Sequence, residues 1–475
     1  LFSFLFVFFH VFLLSRTKKD TKRSLKLRVG FLTLGCKVNS YETEKMKIKF
    51  EEQGHTVVAF EEKADVYIVN TCTVTNIADR KSRKMLHRAK RRNPNSLVVA
   101  AGCYVDSSDK KGEKDSSVDL FVTNAMKEDL VAFVVEAMKE RNIVPMQVME
   151  EAFEKEHHMT KEAMAQKHTR AYLKVQNGCN QYCTYCIIPY VRGPLSSKPV
   201  EDVVYEVEQL AKDGIQEVVL TGIHLSSYGV DLTECKNFLE LEGRMLLKLI
   251  QNVANVDGIE RIRLGSLEPR IITKNFLEEL SQIPEVCPHF HLSLQSGCDQ
   301  TLRRMNRHYS ADEYEEGVKM IRVYFKHPAI TTDIIVGFPQ ETEEEFEATC
   351  AFARRIAFAQ IHVFKYSRRQ GTMADAMTGQ VDETIKNQRS EKLIGIEKEL
   401  EKEYQKYFIG KKEEVLLEEV QLIEGREYVV GYNERYVRIA VSCTEMPDAK
   451  ERCNTIATVK IERHLTDEIL LGVYQ

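Results

Sequence analysis

The 475-residue sequence lacks an apolar run long enough to cross a membrane. Its opening stretch, residues 1–14, is apolar, but a spanning helix needs roughly 20 such residues. The stretch also has no starting Met, no basic segment before it and no small-residue cleavage site after it, so it does not match a signal peptide. We therefore expect residues 1–27 to be a disordered extension or a mis-assigned start, and we expect no membrane partner.

The chain also lacks an excess of charge of either sign. Its net charge of −4 indicates no partner, so any surface for nucleic acid must be local. The twelve cysteines occur in a large chain that is rich in Lys and Glu and has no complete secretion signal, a setting that favours reduced thiols over disulfides. We expect a cytoplasmic protein in which the spacing of the cysteines decides their role.

The first part of the chain alternates between strand-like and helix-like segments, which is typical of a doubly wound α/β domain with a parallel sheet. We assign residues 28–148 to this domain, with an exposed polar loop at 107–117, and 149–168 to a linker. The predicted strands are 29–34, 66–70, 97–101 and 120–122, and the predicted helices are 41–53, 77–92 and 126–141.

Two further domains follow, and no internal repeat is found. Residues 169–400 contain six strand–helix units, which favours a complete or partial barrel of the triosephosphate-isomerase type. A long helix rich in Glu and Lys is expected at 385–408. Residues 401–475 are rich in short β segments separated by turn residues, and they predict a small β-barrel. The predicted strands of the larger barrel are 172–176, 217–220, 261–264, 290–294, 332–336 and 361–366.

Three cysteines follow the first predicted strand of the larger barrel directly. Cys179, Cys183 and Cys186 have the spacing C-x3-C-x2-C in NGCNQYCTYCIIPYVRG. Three thiolates on one loop can hold three irons of a [4Fe-4S] cluster and leave the fourth iron open to a substrate. A zinc loop and chance clustering are the alternatives. Structural zinc sites usually have four ligands, often as paired C-x2-C units, and no second pair exists in this chain.

The three-cysteine loop resembles that of the radical S-adenosylmethionine (SAM) superfamily, and the resemblance implies SAM at the open iron. Five further residues fall just past predicted strands, on the face that carries active sites in such barrels. By resemblance, Gly222 in TGIH belongs to the strand that binds the SAM amino group, and Ser266 and Glu268 lie near the ribose. Gln295 and Gly337 complete the expected cofactor-binding set. Each residue alone could be an ordinary turn or surface residue.

A second set of cysteines follows three different strands of the first domain. Cys36, Cys72 and Cys103 stand in LTLGC, VNTC and VAAGC. Strand ends of an open parallel sheet share one edge, so we expect these thiols to converge and to hold a second cluster. The alternative is that they are small buried residues. The cysteines at 235, 287, 298, 350, 443 and 453 show no such pattern and are expected not to be ligands.

Four longer motifs narrow the resemblance to one family within the radical SAM superfamily. The segments TLGCKVNSYETE, VNTCTVTNIADRKSR, GCNQYCTYCIIPYVRG and LQSGCDQTLRRMNRHY resemble the methylthiotransferase family of radical SAM enzymes from Arg28 to the C-terminus. That family has an N-terminal cluster domain, a radical SAM barrel and a C-terminal TRAM β-barrel. GCKVN followed by YETE resembles the branch that acts on threonylcarbamoyladenosine in tRNA. The chain departs from the family at Gln340, where Gly is usual in GFPGET.

The resemblance implies two [4Fe-4S] clusters, SAM, tRNA as substrate and a reductant such as a flavodoxin- or ferredoxin-type protein. One SAM methylates a sulfur held at the Cys36 cluster, and a second yields the radical that removes hydrogen from carbon 2 of the modified adenine. No catalytic side chain is implied. The alternatives are isopentenyladenosine in tRNA, a ribosomal protein, or a non-catalytic iron–sulfur or RNA-binding protein.

Three groups of side chains are candidates for RNA contact, since RNA binding needs local positive charge and stacking surfaces. A solvated helix face or ordinary barrel packing is the alternative for each group. The first group lies on one helical stretch and comprises Arg80, Lys81, Arg83, Lys84, Arg88, Lys90, Arg91 and Arg92. The others are Arg303, Arg304 and Arg307, and in the terminal β-barrel Tyr428, Tyr432, Arg435, Tyr436 and Arg438.

Overall fold

The computed structural model describes residues 26–109, 115–141, 169–233, 241–446 and 448–475. The extension expected at 1–27 lies almost entirely outside these ranges, as do the whole of the linker expected at 149–168 and Cys235. Among the described residues, no helix has the length and apolar character needed to cross a membrane.

The first sheet has five parallel strands: β1 (Arg28–Thr33), β2 (Thr56–Val58), β3 (Val66–Thr71), β4 (Leu97–Gly102) and β5 (Leu120–Val122). Its helices are α1 (Lys37–Glu52), α2 (Asn76–Arg92), α3 (Cys103–Asp109) and α4 (Leu130–Glu140). The strand order is β2-β1-β3-β4-β5. α1 and α4 pack on one face, and α2 and α3 on the other. Because both faces are covered, β3 and β4 are buried along their whole length.

Three local predictions for this region differ from the structure. α1 begins at Lys37 rather than at Tyr41, with Cys36 as the residue that caps it. The short edge strand β2 was not predicted, because its three residues are too few to show a pattern in the sequence. α3 occupies the start of the segment predicted as a polar loop, since it ends only at Asp109.

The second body is a partial barrel of six parallel strands in chain order. Its two halves join through Leu267, whose backbone N–H donates to the His291 carbonyl at 2.8 Å. Within the described ranges the first and last strands pair on one side only, so the barrel is open there. The six strands are β6 (Arg170–Lys174), β9 (Glu217–Thr221), β10 (Arg261–Leu264), β11 (His289–His291), β12 (Ala329–Val336) and β13 (Gln360–Lys365), and the short pair β7 (Gln176–Asn177) and β8 (Ser196–Ser197) lies after β6.

The barrel strands separate apolar from polar side chains by simple alternation. Outward residues such as Leu220, Ile262 and Phe290 form the large core with the surrounding helices. Inward residues are largely polar, so the lumen differs from the packed apolar interior that is usual in closed barrels. The surrounding helices are α5 (Ile188–Arg192), α6 (Val200–Lys212), α7 (Arg244–Ala254), α8 (Lys274–Leu280), α9 (Asp299–Arg304), α10 (Ala311–Tyr324), α11 (Glu343–Ile356), α12 (Met373–Ala376) and α13 (Glu383–Lys406).

A closed antiparallel-rich β-barrel follows α13, with the strand order β14-β15-β16-β18-β17. It docks against the strand beginnings of the larger barrel, opposite the three-cysteine loop. The Tyr436 ring lies 4.9 Å from the Arg170 guanidinium and 4.6 Å from that of Arg263. Its strands are β14 (Lys412–Ile423), β15 (Arg426–Asn433), β16 (Arg438–Ser442), β17 (Ile456–His464) and β18 (Leu470–Tyr474).

These contacts correct the expectation that the terminal barrel offers its aromatic and cationic residues to RNA. Tyr432 stacks on Tyr436 with ring centroids 4.7 Å apart, in the docking interface. Arg435 donates to the backbone carbonyls of Lys326 and His327, and Arg438 donates to the Gln421 side chain. Tyr428 is buried. Three of the five residues, Tyr432, Arg435 and Tyr436, therefore pack between the two barrels.

One buried carboxylate anchors the interface. Glu217 is fully buried, and its oxygens lie 3.1 Å from Arg170 Nε and 3.0 Å from Arg263 Nε. Burial alone would raise the pKa of Glu217, but Arg263 and Arg170 outweigh burial and lower it. Both arginines also contact the terminal barrel, so the carboxylate holds the cations in the geometry that docking requires.

We predict that Glu217→Gln lowers the free energy of unfolding by about 3–5 kcal/mol, because the buried Arg263 then loses its counter-charge and Arg170 keeps only that of Glu418. Urea unfolding followed by circular dichroism measures the change. The matched control is Glu260→Gln, an exposed carboxylate in the turn before β10, for which we expect a change within about 0.5 kcal/mol. Equal midpoints for the two variants would contradict the role of Glu217.

Candidate active site

The three-cysteine loop lies between β7 and α5, at the end of the barrel where the strands finish. Gly178 precedes Cys179 with φ +67°, and a Cβ there would come within 1.8 Å of the Pro194 carbonyl oxygen. Only Gly allows this close approach. The loop is tied to the segment after α9, since Thr184 donates from its backbone N–H to the Met305 carbonyl at 3.1 Å and from its hydroxyl to the Arg304 carbonyl at 2.8 Å.

The thiols of this loop are partly exposed and suit a cluster better than a single ion. Within the described ranges, their sulfurs do not all lie within 4.8 Å of one another, as ligands sharing one ion would. A four-iron cluster takes one thiolate on each of three irons, which needs wider spacing. Burial raises the pKa of Cys179 to about 11 and that of Cys186 to about 12, so iron must displace protons to bind them.

Polar side chains link this loop to the expected SAM residues. An Arg307 guanidinium nitrogen lies 3.2 Å from Cys183 Sγ. Arg270 donates to Gln181 of the loop at 3.2 Å and forms a two-point ion pair with Glu268. His224, in TGIH, has its Nε2 at 3.6 Å from a Glu268 oxygen. Burial lowers the pKa of His224 to about 4, so its imidazole is neutral at pH 7.

The structure brings the expected SAM residues to the strand ends of the barrel, but it tests no contact with SAM. Gly222 leaves no room for a Cβ, which would meet the Gln176 side chain at 2.7 Å. Ser266 is exposed. Gln295 has φ +70° and donates its backbone N–H to the Asp333 carbonyl at 2.9 Å. Gly337 packs against the Lys386 side chain of α13. Their roles therefore stay predictions.

The second set of cysteines converges at the edge of the first sheet. Cys36 follows β1, Cys72 follows β3 and Cys103 follows β4, and these strands are neighbours. A Cβ on Gly35 would lie 2.9 Å from Cys72 Sγ, so Gly at this position lets the thiols approach. Burial raises the pKa of Cys72 to about 11, and Cys103 and Cys36 raise it further through their proximity. The three sulfurs again form no single-ion site within the described residues.

Beneath these thiols lies the Glu42 ion cluster, formed by Glu42, Lys127, Lys174 and Arg192. The Glu42 carboxylate lies 2.6 Å from Lys127 Nζ and 2.9 Å from both Lys174 Nζ and Arg192. Burial would raise the pKa of Glu42, but the three cations hold it well below its usual range. Three cations face one carboxylate, so the cluster leaves surplus positive charge beneath the thiols. Cys103 and Cys36 in turn raise the pKa of Arg192 against its burial.

A short helix connects the two sets of thiols. α5 begins two residues after Cys186, and its Val191 packs with Ile187 against Cys103. Asn124 spans the contact, because its side-chain amide lies 3.5 Å from Cys103 Sγ and donates to the Val191 carbonyl at 3.3 Å. α5 therefore holds the three-cysteine loop of the barrel against Cys103 of the second set.

Comparison with known proteins agrees with this arrangement. Residues 28–123, which contain Cys36, Cys72 and Cys103, match the uncharacterized protein family UPF0004. Residues 173–353, which contain Cys179, Cys183 and Cys186, match the radical SAM superfamily. The threonylcarbamoyladenosine tRNA methylthiotransferase MtaB of Bacillus subtilis (strain 168) is 38% identical over 425 residues, covering 88% of this chain and 91% of that protein. The chain belongs to the methylthiotransferase family of radical SAM enzymes.

Other members of the family are similar over comparable lengths. The MtaB protein of Aquifex aeolicus (strain VF5) is 39% identical to this chain, and the similarity covers 87% of this chain and 100% of that protein. A tRNA-2-methylthio-N(6)-dimethylallyladenosine synthase of Thermoanaerobacter sp. (strain X514) is 34% identical over 81% of each chain. The fold is that of the radical SAM methyltransferase TsrM from Kitasatospora setae, at a TM-score of 0.50 and 15% identity over 74% of this chain and 77% of that one.

Membership of this family implies that the methylthiotransferase uses SAM and a [4Fe-4S] cluster. The loop of Cys179, Cys183 and Cys186 fits that cluster by its donors, spacing and accessibility. Gln340, where the sequence departs from GFPGET, has φ +65°. A left-handed backbone costs a residue with a side chain on the order of 1 kcal/mol, which explains why Gly is usual at this turn.

The structure corrects two of the three residues in one group of candidate RNA contacts, whereas Arg303 of that group is exposed. Arg307 points to Cys183 rather than to the surface, and Arg304 is paired with Glu345. On α2, by contrast, the basic side chains are mostly solvent-exposed. Within the described ranges, Lys90 pairs with Asp119 and Arg88 lies 4.0 Å from Glu61. The basic residues of α2 that form no ion pair there are Arg80, Lys81, Arg83, Lys84, Arg91 and Arg92.

Several residues of the site were missed by the sequence analysis. Asn39 donates to the backbone carbonyls of Leu34 and Thr71 at 2.7 and 3.0 Å, which fixes the loops that carry Cys36 and Cys72. Asn70 and the Glu42 ion cluster were missed as well. The sequence did offer a signal for these residues. Amide and carboxylate side chains stand inside the motifs GCKVNSYETE and VNTC, close to the cysteines.

We predict that Glu42→Gln weakens iron binding at the second set of thiols, Cys36, Cys72 and Cys103, because two buried cations then face each other without a full counter-charge. After anaerobic reconstitution the variant should lose iron selectively, and it should unfold at a lower urea concentration than the parent. Iron analysis and urea unfolding check the two effects. Glu51→Gln, an exposed carboxylate on the same helix, is the control and should retain the iron and stability of the parent. Unchanged iron in both variants would contradict the prediction.

Proposed function

We propose that this methylthiotransferase adds a methylthio group to carbon 2 of threonylcarbamoyladenosine next to the anticodon of tRNA. The observation that carries the proposal is that α5, which directly follows the first set of three thiols, packs against Cys103 of the second set. A chain that only generates radicals needs one such set, whereas insertion of sulfur needs a second place to hold it. The relatives named for threonylcarbamoyladenosine, at 38% and 39% identity, favour this nucleoside.

Six cysteines would hold two clusters in this proposal. Cys179, Cys183 and Cys186 would bind the cluster that reduces SAM, and Cys36, Cys72 and Cys103 would bind the second. When bound, these groups supply the radical chemistry and the sulfur. The protein orients them: Arg307 donates to the first set, the Glu42 ion cluster offsets negative charge at the second, and Gly222, Ser266, Glu268, Gln295 and Gly337 line the SAM side.

The exposed cations of α2 support tRNA as the substrate. The helix begins four residues after Cys72, so its basic face lies beside the second set of thiols. Phosphate groups bind such a face electrostatically, and the interaction weakens with salt. A flavodoxin- or ferredoxin-type reductant and a cytoplasmic location complete the proposal. The family alternative is dimethylallyladenosine in tRNA, for which a relative at 34% identity is named, or a ribosomal protein.

Iron analysis tests the two clusters. We predict about eight irons per chain after anaerobic reconstitution and about four in Cys72→Ala, because each [4Fe-4S] cluster contributes four. Cys298→Ala, a buried cysteine outside both sets, is the control and should keep all of its iron. Cys72→Ala should still release 5′-deoxyadenosine from SAM, whereas Cys183→Ala should not. Full iron in Cys72→Ala would refute the second cluster, and no release from the parent protein would favour a non-catalytic role.

Mass spectrometry of tRNA nucleosides tests the substrate. In cells that lack the gene we predict loss of the methylthio form of threonylcarbamoyladenosine and accumulation of its unmethylthiolated form. The parent gene should restore the product and the Cys183→Ala gene should not. Methylthio-dimethylallyladenosine in the same total tRNA digest is the internal control and should be unchanged. Loss of that nucleoside instead would assign the enzyme to the other substrate.

A further inference from the structure

The lumen of the partial barrel contains a polar group beside the second set of thiols. Lys37 directly follows Cys36, at the start of α1, which packs on the edge strand β6. Its ammonium lies 5.9 Å from the centroid of the Tyr172 ring, an inward residue of β6. The Lys37 side chain is accessible to solvent. It therefore points from the cluster edge of the sheet toward the space inside the barrel.

Three side chains from adjacent strands lie together in the same space. His291 Nε2 is 3.4 Å from an Asp333 oxygen, and the rings of His291 and His362 stack with centroids 5.8 Å apart. The nitrogen and oxygen atoms of all three lie within 4.8 Å of one another. Asp333 is 30% exposed and His362 is exposed, so a ligand entering the lumen can reach both.

The charge of Lys37 distinguishes it from the other cations of the lumen. Lys174 is paired with Glu42, and Arg263 is paired with Glu217. Among the described residues, no carboxylate lies within the 4.0 Å ion-pair distance of Lys37. Its charge is nevertheless felt across the lumen, since burial lowers the pKa of His362 and Lys37 lowers it further. A cation of this kind, accessible and without a partner, suits an anionic ligand group. The positive charge of Lys37 also disfavours the binding of a metal ion at His291 and His362.

We propose that Lys37 recognises the carboxylate of the threonylcarbamoyl group, and that Asp333 accepts a hydrogen bond from its hydroxyl or urea N–H. The inference rests on the proposed function and deepens it by naming residues that select the nucleoside. His291 and His362 complete the polar wall around Asp333. A dimethylallyl group has neither charge nor hydrogen-bond donors, and it would leave both residues without partners in a partly dry space, which is costly.

A single change in the substrate tests the role of the carboxylate. Two anticodon stem-loop RNAs are compared, one with threonylcarbamoyladenosine and one with its carboxamide, which has the same shape but no charge. The reconstituted wild-type enzyme should prefer the carboxylate by roughly 10- to 100-fold in kcat/KM and in Kd, as expected for a hydrogen bond to a charged group. This comparison needs no variant. Equal values for the two RNAs would overturn the inference.

Lys37→Met should remove the preference by weakening only the carboxylate substrate. Its control is Lys47→Met on the same helix, where Lys47 forms an exposed ion pair with Glu44 and the preference should persist. Iron content and release of 5′-deoxyadenosine should match wild type in both variants. Equal loss on both RNAs with iron retained would also overturn the inference. If neither RNA is methylthiolated but a dimethylallyladenosine stem-loop is, the proposed function fails, which is a different result.

Discussion

The contact between the first sheet and the barrel depends on the Glu42 carboxylate. Its three cations come from places far apart in the sequence: Lys127 before α4, Lys174 on β6 and Arg192 at the end of α5. A charge group of this kind is stable when buried only if every member is paired and hydrogen-bonded. It therefore fixes one orientation of the sheet against the barrel. That orientation sets the position of one set of thiols relative to the other.

The open form of the barrel follows from the same contact. A closed barrel would pair its first and last strands. Here the first domain contacts the chain at each of these two strands instead. α1 packs along β6, and Arg369, after β13, binds Thr73 and Asp79 in the segment that follows Cys72. With its edges occupied by a second domain, the barrel does not close. An open barrel lined with polar residues can admit a nucleoside, which a packed apolar core could not.

The sequence was sufficient to predict those features that depend on local patterns. Alternation of strands and helices indicated the fold class, and the rule that parallel strand ends share an edge brought Cys36, Cys72 and Cys103 together correctly. It was not sufficient for the Glu42 ion cluster, because no periodicity links positions 42, 127, 174 and 192. Tyr432 and Tyr436 were misinterpreted for the same reason. A tyrosine that stacks on arginine looks the same in a sequence whether the arginine's partner is RNA or another domain.

The first turn of α1 joins functions that are usually separate. It carries the proposed cluster ligand Cys36, the accessible cation Lys37, Asn39, which fixes two of the cysteine loops, and then Glu42. Residues on one helical turn cannot move independently, because they share a hydrogen-bonded backbone. A substrate carboxylate bound at Lys37, as proposed, would therefore lie at a fixed distance from sulfur held at Cys36, Cys72 and Cys103. Selection of the nucleoside and positioning of its carbon 2 would then be a single event, achieved by one rigid element rather than by a separate recognition domain.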